Sequence, residues 1–192
     1  MDRVIEIMRG LCPVSDESVS ALKECVERCE FPRRHQLVRA GERVGSAWFI
    51  ERGMTRSFWM EGGEEITTSF SVEGGIVFSM DELYYDEMSQ EYVETIEPVE
   101  VYRIALTDLR MLWSTRLDLA NWGRIIHQNE YRRLHRSHKE RLTLSAKDRY
   151  EAFVDQFPEV SRRAQLGYVA SYLGITLSTL SRLRADAVKR GF

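Results

Sequence analysis

The chain has 192 residues, 43% hydrophobic and 30% charged, with a net charge of −3, which leaves room for two small domains and is too apolar for disorder. It holds no run of about 18 apolar residues that could span a membrane, and Met1-Asp2-Arg3-Val4-Ile5-Glu6 lacks the apolar core of a signal peptide, so a cytoplasmic location is expected. Cys12, Cys25 and Cys29 are odd in number and form no C-x-x-C pair, which argues against a disulfide framework and for three reduced thiols.

In chain order, Ser15 or Asp16 caps an amphipathic helix whose apolar positions Val19, Leu22, Val26 and Cys29 fall on one face, and Phe31-Pro32 ends it. From there to about Ile104 the pattern shortens to strands broken by glycines. Strands are expected over Gln36–Arg39, Trp48–Ile50, Thr55–Met60 and Ile66–Val72, with turns at Ala40-Gly41, Arg52-Gly53 and Gly62-Gly63. An irregular acidic stretch follows Gly74-Gly75. Tyr92–Ile96 and Val99–Ile104 then flank Glu97-Pro98 as a closing hairpin. Strands this short with regular turns predict a small antiparallel roll or barrel. Helices resume with Leu106–Thr115.

The next helix, from about Leu117 to His138, is too long and too polar to be packed within one domain. Leu119, Trp122, Ile126 and Asn129 follow three-four spacing, a seam that a second copy of the helix could complete. The same apolar side could instead pack on the chain's own roll. Arg133 and Arg136 weaken the heptad further along. Leu142-Thr-Leu144 makes a junction, and Ser145 caps a helix that runs through Phe157 and is stopped by Pro158.

Residues 165–184, Gln-Leu-Gly-Tyr-Val-Ala-Ser-Tyr-Leu-Gly-Ile-Thr-Leu-Ser-Thr-Leu-Ser-Arg-Leu-Arg, read as a helix-turn-helix. Val169, Ala170 and Leu173 form the apolar face of a short first helix, and Gly174 closes it in the left-handed conformation. Ile175 plugs the corner and Thr176 caps the second helix, whose Leu177, Leu180 and Leu183 point inward. The opposite face carries Ser178, Thr179, Ser181, Arg182 and Asp186, short polar groups plus one long donor that suit a major groove. Charge supports this. Residues 124–192 hold 14 Lys and Arg against 7 Asp and Glu, whereas residues 1–123 hold 13 against 23, so an average pI hides a basic C-terminal part suited to phosphate neutralisation. Arg182 is the candidate for a direct contact with guanine, Ser178, Thr179 and Ser181 for bases or nearby phosphates, and Thr176, Arg184, Lys189 and Arg190 for the DNA backbone. Double-stranded DNA is the expected partner. A homodimer would read a palindrome with half-sites roughly 34 Å apart.

A roll containing Gly41-Glu42, Phe49-Ile50 and Gly53, then a long helix and a C-terminal helix-turn-helix, resembles the cyclic-AMP receptor/Fnr (Crp/Fnr) family of bacterial transcription factors over nearly the whole chain. The closest local pieces are Leu144-Ser-Ala-Lys-Asp-Arg-Tyr150 and the stretch from Tyr168 to Arg182, which resemble Bacteroidetes-type members. The resemblance implies an α+β fold: a cyclic-nucleotide-binding-like double-stranded β-roll over residues 1–116, a dimerisation helix over 117–141, and a winged helix-turn-helix over 142–192. The chain stops at Gly191-Phe192, so the wing is expected to be truncated or missing. RNA polymerase is a further candidate partner.

Cyclic-nucleotide binders in this family carry a Gly-Glu pair for the ribose and an Arg followed by a small residue for the phosphate. Aligned with them, Phe78-Ser79 replaces the Gly-Glu pair and Tyr92 stands where the Arg should be. Independently of any alignment, no Lys or Arg lies between Arg56 and Arg103, while residues 81–100 hold eight carboxylates. A buried phosphate wants a bidentate Arg, and that acidic field opposes it. The effector is therefore expected not to be cAMP. The pocket, lined also by Ser79, takes an uncharged or cationic ligand or is filled by Phe78, Tyr84, Tyr85 and Tyr92; Arg132 or Arg133 could reach it from the long helix only against that acidic field.

Other chemistries fit less well. An iron-sulfur cluster needs four thiolate-type ligands, and three cysteines fall short. His127, His135 and His138 lack a clear third ligand for a metal. No cofactor is expected. With no G-x-S-x-G or P-loop, no catalytic residue is assigned and an enzyme is not expected. The rival readings are a sensor module whose C-terminal helices bind a protein partner, and a genuinely cyclic-nucleotide-responsive regulator.

Overall fold

A computed structural model describes residues 1–189. Two N-terminal helices, α1 (Asp2–Leu11) and α2 (Asp16–Glu24), lead into eight strands: β1 (Val26–Phe31), β2 (Gln36–Val38), β3 (Ser46–Arg52), β4 (Thr55–Glu61), β5 (Glu64–Ser71), β6 (Ile76–Val77), β7 (Tyr92–Thr95) and β8 (Val99–Ala105). One π-helical turn, Asp81–Tyr85, stands between β6 and β7. Six helices follow: α3 (Leu106–Thr115), α4 (Leu117–Thr143), α5 (Ala146–Gln156), α6 (Pro158–Arg163), α7 (Leu166–Leu173) and α8 (Leu177–Lys189).

The strands form two antiparallel four-stranded sheets, ordered β1-β8-β3-β6 and β2-β7-β4-β5. Their inner faces close on Leu37, Val38, Trp48, Ile50, Val93, Val99 and Val101, which are the interior of the roll. β4 and β5 are joined across Gly62-Gly63, both at positive φ, as the right-handed twist of a two-residue hairpin requires.

The outer face of each sheet is covered by helices. Ala47, Phe49 and Ile104 of the first sheet pack against α1, α2, α3 and the start of α4 through Val4, Met8, Leu22, Leu109, Leu119 and Trp122. The second sheet is covered by the C-terminal helices: Met54, Phe70, Val72 and Ile96 join Phe153, Val160, Val169, Tyr172 and Leu180 in one core. Burial of these side chains, at ~25 cal/mol per Å² of apolar surface, is the main stabilising term on both faces.

Two expectations are corrected. The helix expected to run through Cys29 ends at Glu24, and Val26–Phe31 is instead an edge strand paired with β8 from Val26↔Ile104 to Phe31↔Val99. The spacing Val19, Leu22, Val26, Cys29 suits a helix, but β8 offers a row of backbone partners that a helix there would leave unmet. The seam on α4 is the second. Leu119 and Trp122 are each 2% exposed and Ile126 packs on the same core, so these three are covered by the chain's own roll, and only Asn129 faces outward. Helix α4 also runs on to Thr143, past the expected end at His138.

The expected wing concerns the end of the chain: Arg190 to Phe192 lie outside the described residues, and no strand follows β8 among the described ones. No helix is long and apolar enough to cross a membrane among the described residues.

Candidate nucleic-acid interface

Helices α7 and α8 are joined by a short turn whose backbone is fully tied. Gly174 sits at φ 65°, the left-handed conformation that lets its N–H reach back to the carbonyls of Ala170 and Ser171. Ile175 N–H donates to the Ala170 carbonyl at 3.0 Å. Thr176 caps α8: its hydroxyl accepts the Thr179 N–H at 3.2 Å, and its carbonyl accepts the Leu180 N–H at 3.0 Å. Leu180 is fully buried against α7 and Leu183 is half-buried. Leu177, expected inward, is instead 52% exposed, because it lies in the first turn of α8, beyond the edge of the α5–α7 core.

The outward face of α8 presents Ser178, Ser181, Arg182 and Arg184, all exposed, with Thr179 half-buried and hydrogen-bonded to Thr176. Arg182 and Arg184 make no hydrogen bond or ion pair with the described residues. This contrasts with the other arginines near the domain, nearly all of which have partners. Lys189 closes α8, and Arg190 lies outside the described residues. An exposed helix face of short hydroxyls with a long unpaired guanidinium at its centre can enter a groove and donate two hydrogen bonds to one base edge.

The residues expected to line an effector pocket are placed in three separate locations. Phe78 and Tyr84 come together with His127 of α4, their ring centroids 5.4–6.3 Å apart. His127 Nδ1–H donates to the Gly123 carbonyl at 2.6 Å, which leaves Nε2 to accept the Tyr84 hydroxyl at 2.8 Å. Ser79 is buried next to this cluster, where its hydroxyl accepts the Glu82 N–H, and the Glu82 carboxylate in turn takes the N–H groups of Val44 and Gly45 at 2.9 and 2.6 Å. Tyr85 is largely exposed. Tyr92 lies on the second sheet, stacked on Phe58 at 5.0 Å. Arg132 is exposed, and Arg133 donates to the Tyr172 hydroxyl at 3.0 Å and pairs with Glu130. The buried arginine of the roll is Arg56, only 1% exposed and paired with Glu94 at 2.6 Å and with Glu65. A guanidinium already held by two carboxylates is not available to a phosphate.

The contact between the roll and α7 carries no local signal in the sequence. Arg56 lies between the rings of Phe58 and Tyr168, its guanidinium carbon 4.2 and 3.7 Å from their centroids. Ser171 bonds to the edge strand β5, donating to the Glu65 carbonyl and accepting the Thr67 N–H, each at 2.9 Å. Arg163 reaches Glu73 at 2.8 Å and also pairs with Glu97. Burial raises the Glu73 carboxyl, but the Arg163 guanidinium and the Gly53 N–H outweigh it and hold the group at about 2. Among the described residues no three His, Cys, Asp or Glu side chains are grouped to hold a metal.

A double-stranded β-roll joined by a long helix to a capped helix-turn-helix defines a roll-and-helix class of architecture. Comparison with solved structures places it in the Crp/Fnr fold. The chain superposes on CLP of Xanthomonas campestris, described as a c-di-GMP-responsive global regulator, with a TM-score of 0.72 and 16% identity over 92% of this chain and 93% of that one. FixK2 of Bradyrhizobium japonicum matches with a TM-score of 0.74 and 17% identity over 86% of each chain. A Crp/Fnr-family regulator of Eubacterium rectale matches with a TM-score of 0.70 and 10% identity, over 92% of this chain and 85% of that one. No protein-family model and no curated protein matches the sequence.

Proposed function

We propose that the chain is a sequence-specific DNA-binding transcriptional regulator that acts as a homodimer on a palindromic operator. The observation that carries this reading is the outward face of α8, where Arg182, with no partner among the described residues, stands among the exposed Ser178 and Ser181 on a rigidly capped helix. In it Arg182 reads a guanine. Ser178, Thr179 and Ser181 contact bases or adjacent phosphates, and Thr176, Arg184, Lys189 and Arg190 meet the backbone. The Crp/Fnr-like fold supports the same reading.

Dimerisation uses the exposed side of α4 rather than Leu119 and Trp122. Tyr131, Leu134 and Leu142 are exposed along its second half, and Tyr131 adjoins an apolar surface that includes Met80, Tyr84, Ala120 and His127. A second copy of the helix would cover this surface. Residues 1–116 sense, 117–141 pair and 142–192 bind DNA, in the cytoplasm and without catalysis. The effector, where one acts, is not cAMP, because Arg56 is committed to Glu94 and Glu65.

One observation favours a second reading. Leu177 is exposed beside the polar face and would anchor a protein partner, although it also suits a thymine methyl group. Selection of bound duplexes from a random DNA pool, with sizing in the same buffer, separates the two. Enrichment of a palindrome by a dimer supports the proposal, and no enrichment favours the protein-partner reading.

A further inference from the structure

We infer that His135 and His138 of α4, together with the same two residues of a second copy of this chain, form a binding site for a divalent transition-metal ion such as zinc. The inference rests on the dimer reading above. Of the histidines on α4, His127 has both ring nitrogens in use, one on the Gly123 carbonyl and the other on the Tyr84 hydroxyl. His135 and His138 are exposed, and their ring nitrogens have no hydrogen-bond or ion-pair partner among the described residues. An imidazole with a free nitrogen is the ligand that zinc, nickel and copper ions take most readily after thiolate.

The place of the pair on the helix carries the argument. Tyr131, Leu134 and Leu142 are exposed apolar side chains along the second half of α4. His138 comes four residues after Leu134 and four before Leu142, so it falls on the same stripe, midway between them. His135 is one turn earlier and borders the stripe, its ring centroid 6.3 Å from that of Tyr131. A palindrome needs both DNA-binding parts at one end of the dimer, so the two copies of α4 run parallel and each residue of the seam meets its own copy. His138 then faces the second copy's His138 between two apolar layers. Desolvating two imidazoles there without a partner costs stability, and an ion bound to both supplies the partner.

Side chains three apart on a helix have Cβ atoms about 5–6 Å apart, close enough for both imidazoles to reach one ion at about 2.0–2.1 Å. One chain thus gives two ligands, short of a closed tetrahedral set, and the second copy gives the other two. The strongest neighbouring cations are already engaged. Arg136, on the far side of the helix, pairs with Glu140 at 2.7 Å, Arg133 pairs with Glu130, and Arg141 donates to the Tyr172 carbonyl at 2.7 Å. Arg132 and Lys139 remain exposed and make the site weaker than one set among acids. The bond from Arg141 to Tyr172 ties this end of α4 to α7, so an ion held at His138 fixes how far apart the two helix-turn-helix units stand.

The test is zinc titration of the full chain in chelator-free buffer, with sedimentation equilibrium measured in zinc and after chelation. The inference predicts one zinc per dimer and a dimer dissociation constant lower by about tenfold or more in zinc. Cobalt in place of zinc should give the visible absorption of a tetrahedral site. His138→Ala should abolish zinc binding together with its effect on dimerisation, and His135→Ala should weaken both. His138→Leu should lose the zinc yet dimerise without it, because leucine continues the apolar stripe; this separates loss of the ion from loss of the seam. A chain that is monomeric after chelation and dimeric in zinc supports the inference. A dimer that binds no zinc, or zinc binding that survives His138→Ala, overturns it and leaves the dimer reading intact. A chain that stays monomeric with and without zinc overturns both.

Discussion

The two helices of the helix-turn-helix treat their polar groups in opposite ways. On α7, Ser171 has both a donor and an acceptor in the roll and Tyr168 lies on a buried guanidinium. On α8, Ser178, Ser181, Arg182 and Arg184 face outward, and the two arginines have no partner among the described residues. Side chains already paired within the chain stabilise it, whereas donors on a rigid helix that have no partner among the described residues are open to one from outside. The difference ties one helix to the roll and leaves the polar face of the other open, as the proposed DNA contact requires.

The largest effect expected from breaking this division is at Leu180, which is fully buried where α8 meets α7. Leu180→Ala should destabilise the protein by about 3 kcal/mol, measured by chemical denaturation, with amides of α5 to α8 losing protection first. Arg182→Ala, one turn's face away, should leave stability unchanged and weaken binding to a selected operator by roughly 1–3 kcal/mol, with little loss on random duplex. Equal losses on both duplexes would refute a base contact. Between these lies the turn: Gly174→Ala places a side chain at φ 65° and should cost about 1–2 kcal/mol of stability, visible as a lowered midpoint with operator preference retained.

The smallest expected effect is on pH dependence, and it comes with two signs. Glu73 is lowered to about 2 from 4.5, so the stability it contributes is complete above 4.5 and is lost as pH falls toward 2. Glu91 is raised to about 7, first by burial and then by Asp81 and Glu130, so its contribution is complete below 4.5 and is lost as pH rises through 7. Each should amount to about 1 kcal/mol after solvent screening. Denaturation midpoints across pH should lose part of the acid slope in Glu73→Gln, the rest belonging to groups such as Asp118, also held at about 2, and should flatten between 4.5 and 7 in Glu91→Gln. A slope left unchanged by its own variant contradicts the assignment.

Much of the fold was legible because its signals are local. Short runs of strand formers broken by glycine turns mark β3, β4, β5, β7 and β8, the span Leu106–Thr115 is that of α3, and Ser145 caps α5 through the Asp148 N–H. Gly174 and Thr176 likewise act through their own backbone neighbours. What could not be read depended on distant partners. Val26–Phe31 is a strand because β8 lies beside it. Leu119, Trp122 and Ile126 look the same in sequence whether they meet a second helix or the chain's own roll. Helix α1 went unmarked although Val4, Ile5 and Met8 carry its buried face. The contact of α7 with the roll was invisible for a further reason: an arginine in a strand reads as surface until a tyrosine more than a hundred residues later covers it.

The salt dependence of duplex binding by the whole protein tests the central claim most directly. A DNA-binding regulator should show an observed affinity that falls steeply as salt rises, with log K linear in log salt at a slope of about −0.9 for each phosphate neutralised. No binding at low salt, or an affinity that does not change with salt, would contradict the account and leave the exposed face of α8 to a protein partner.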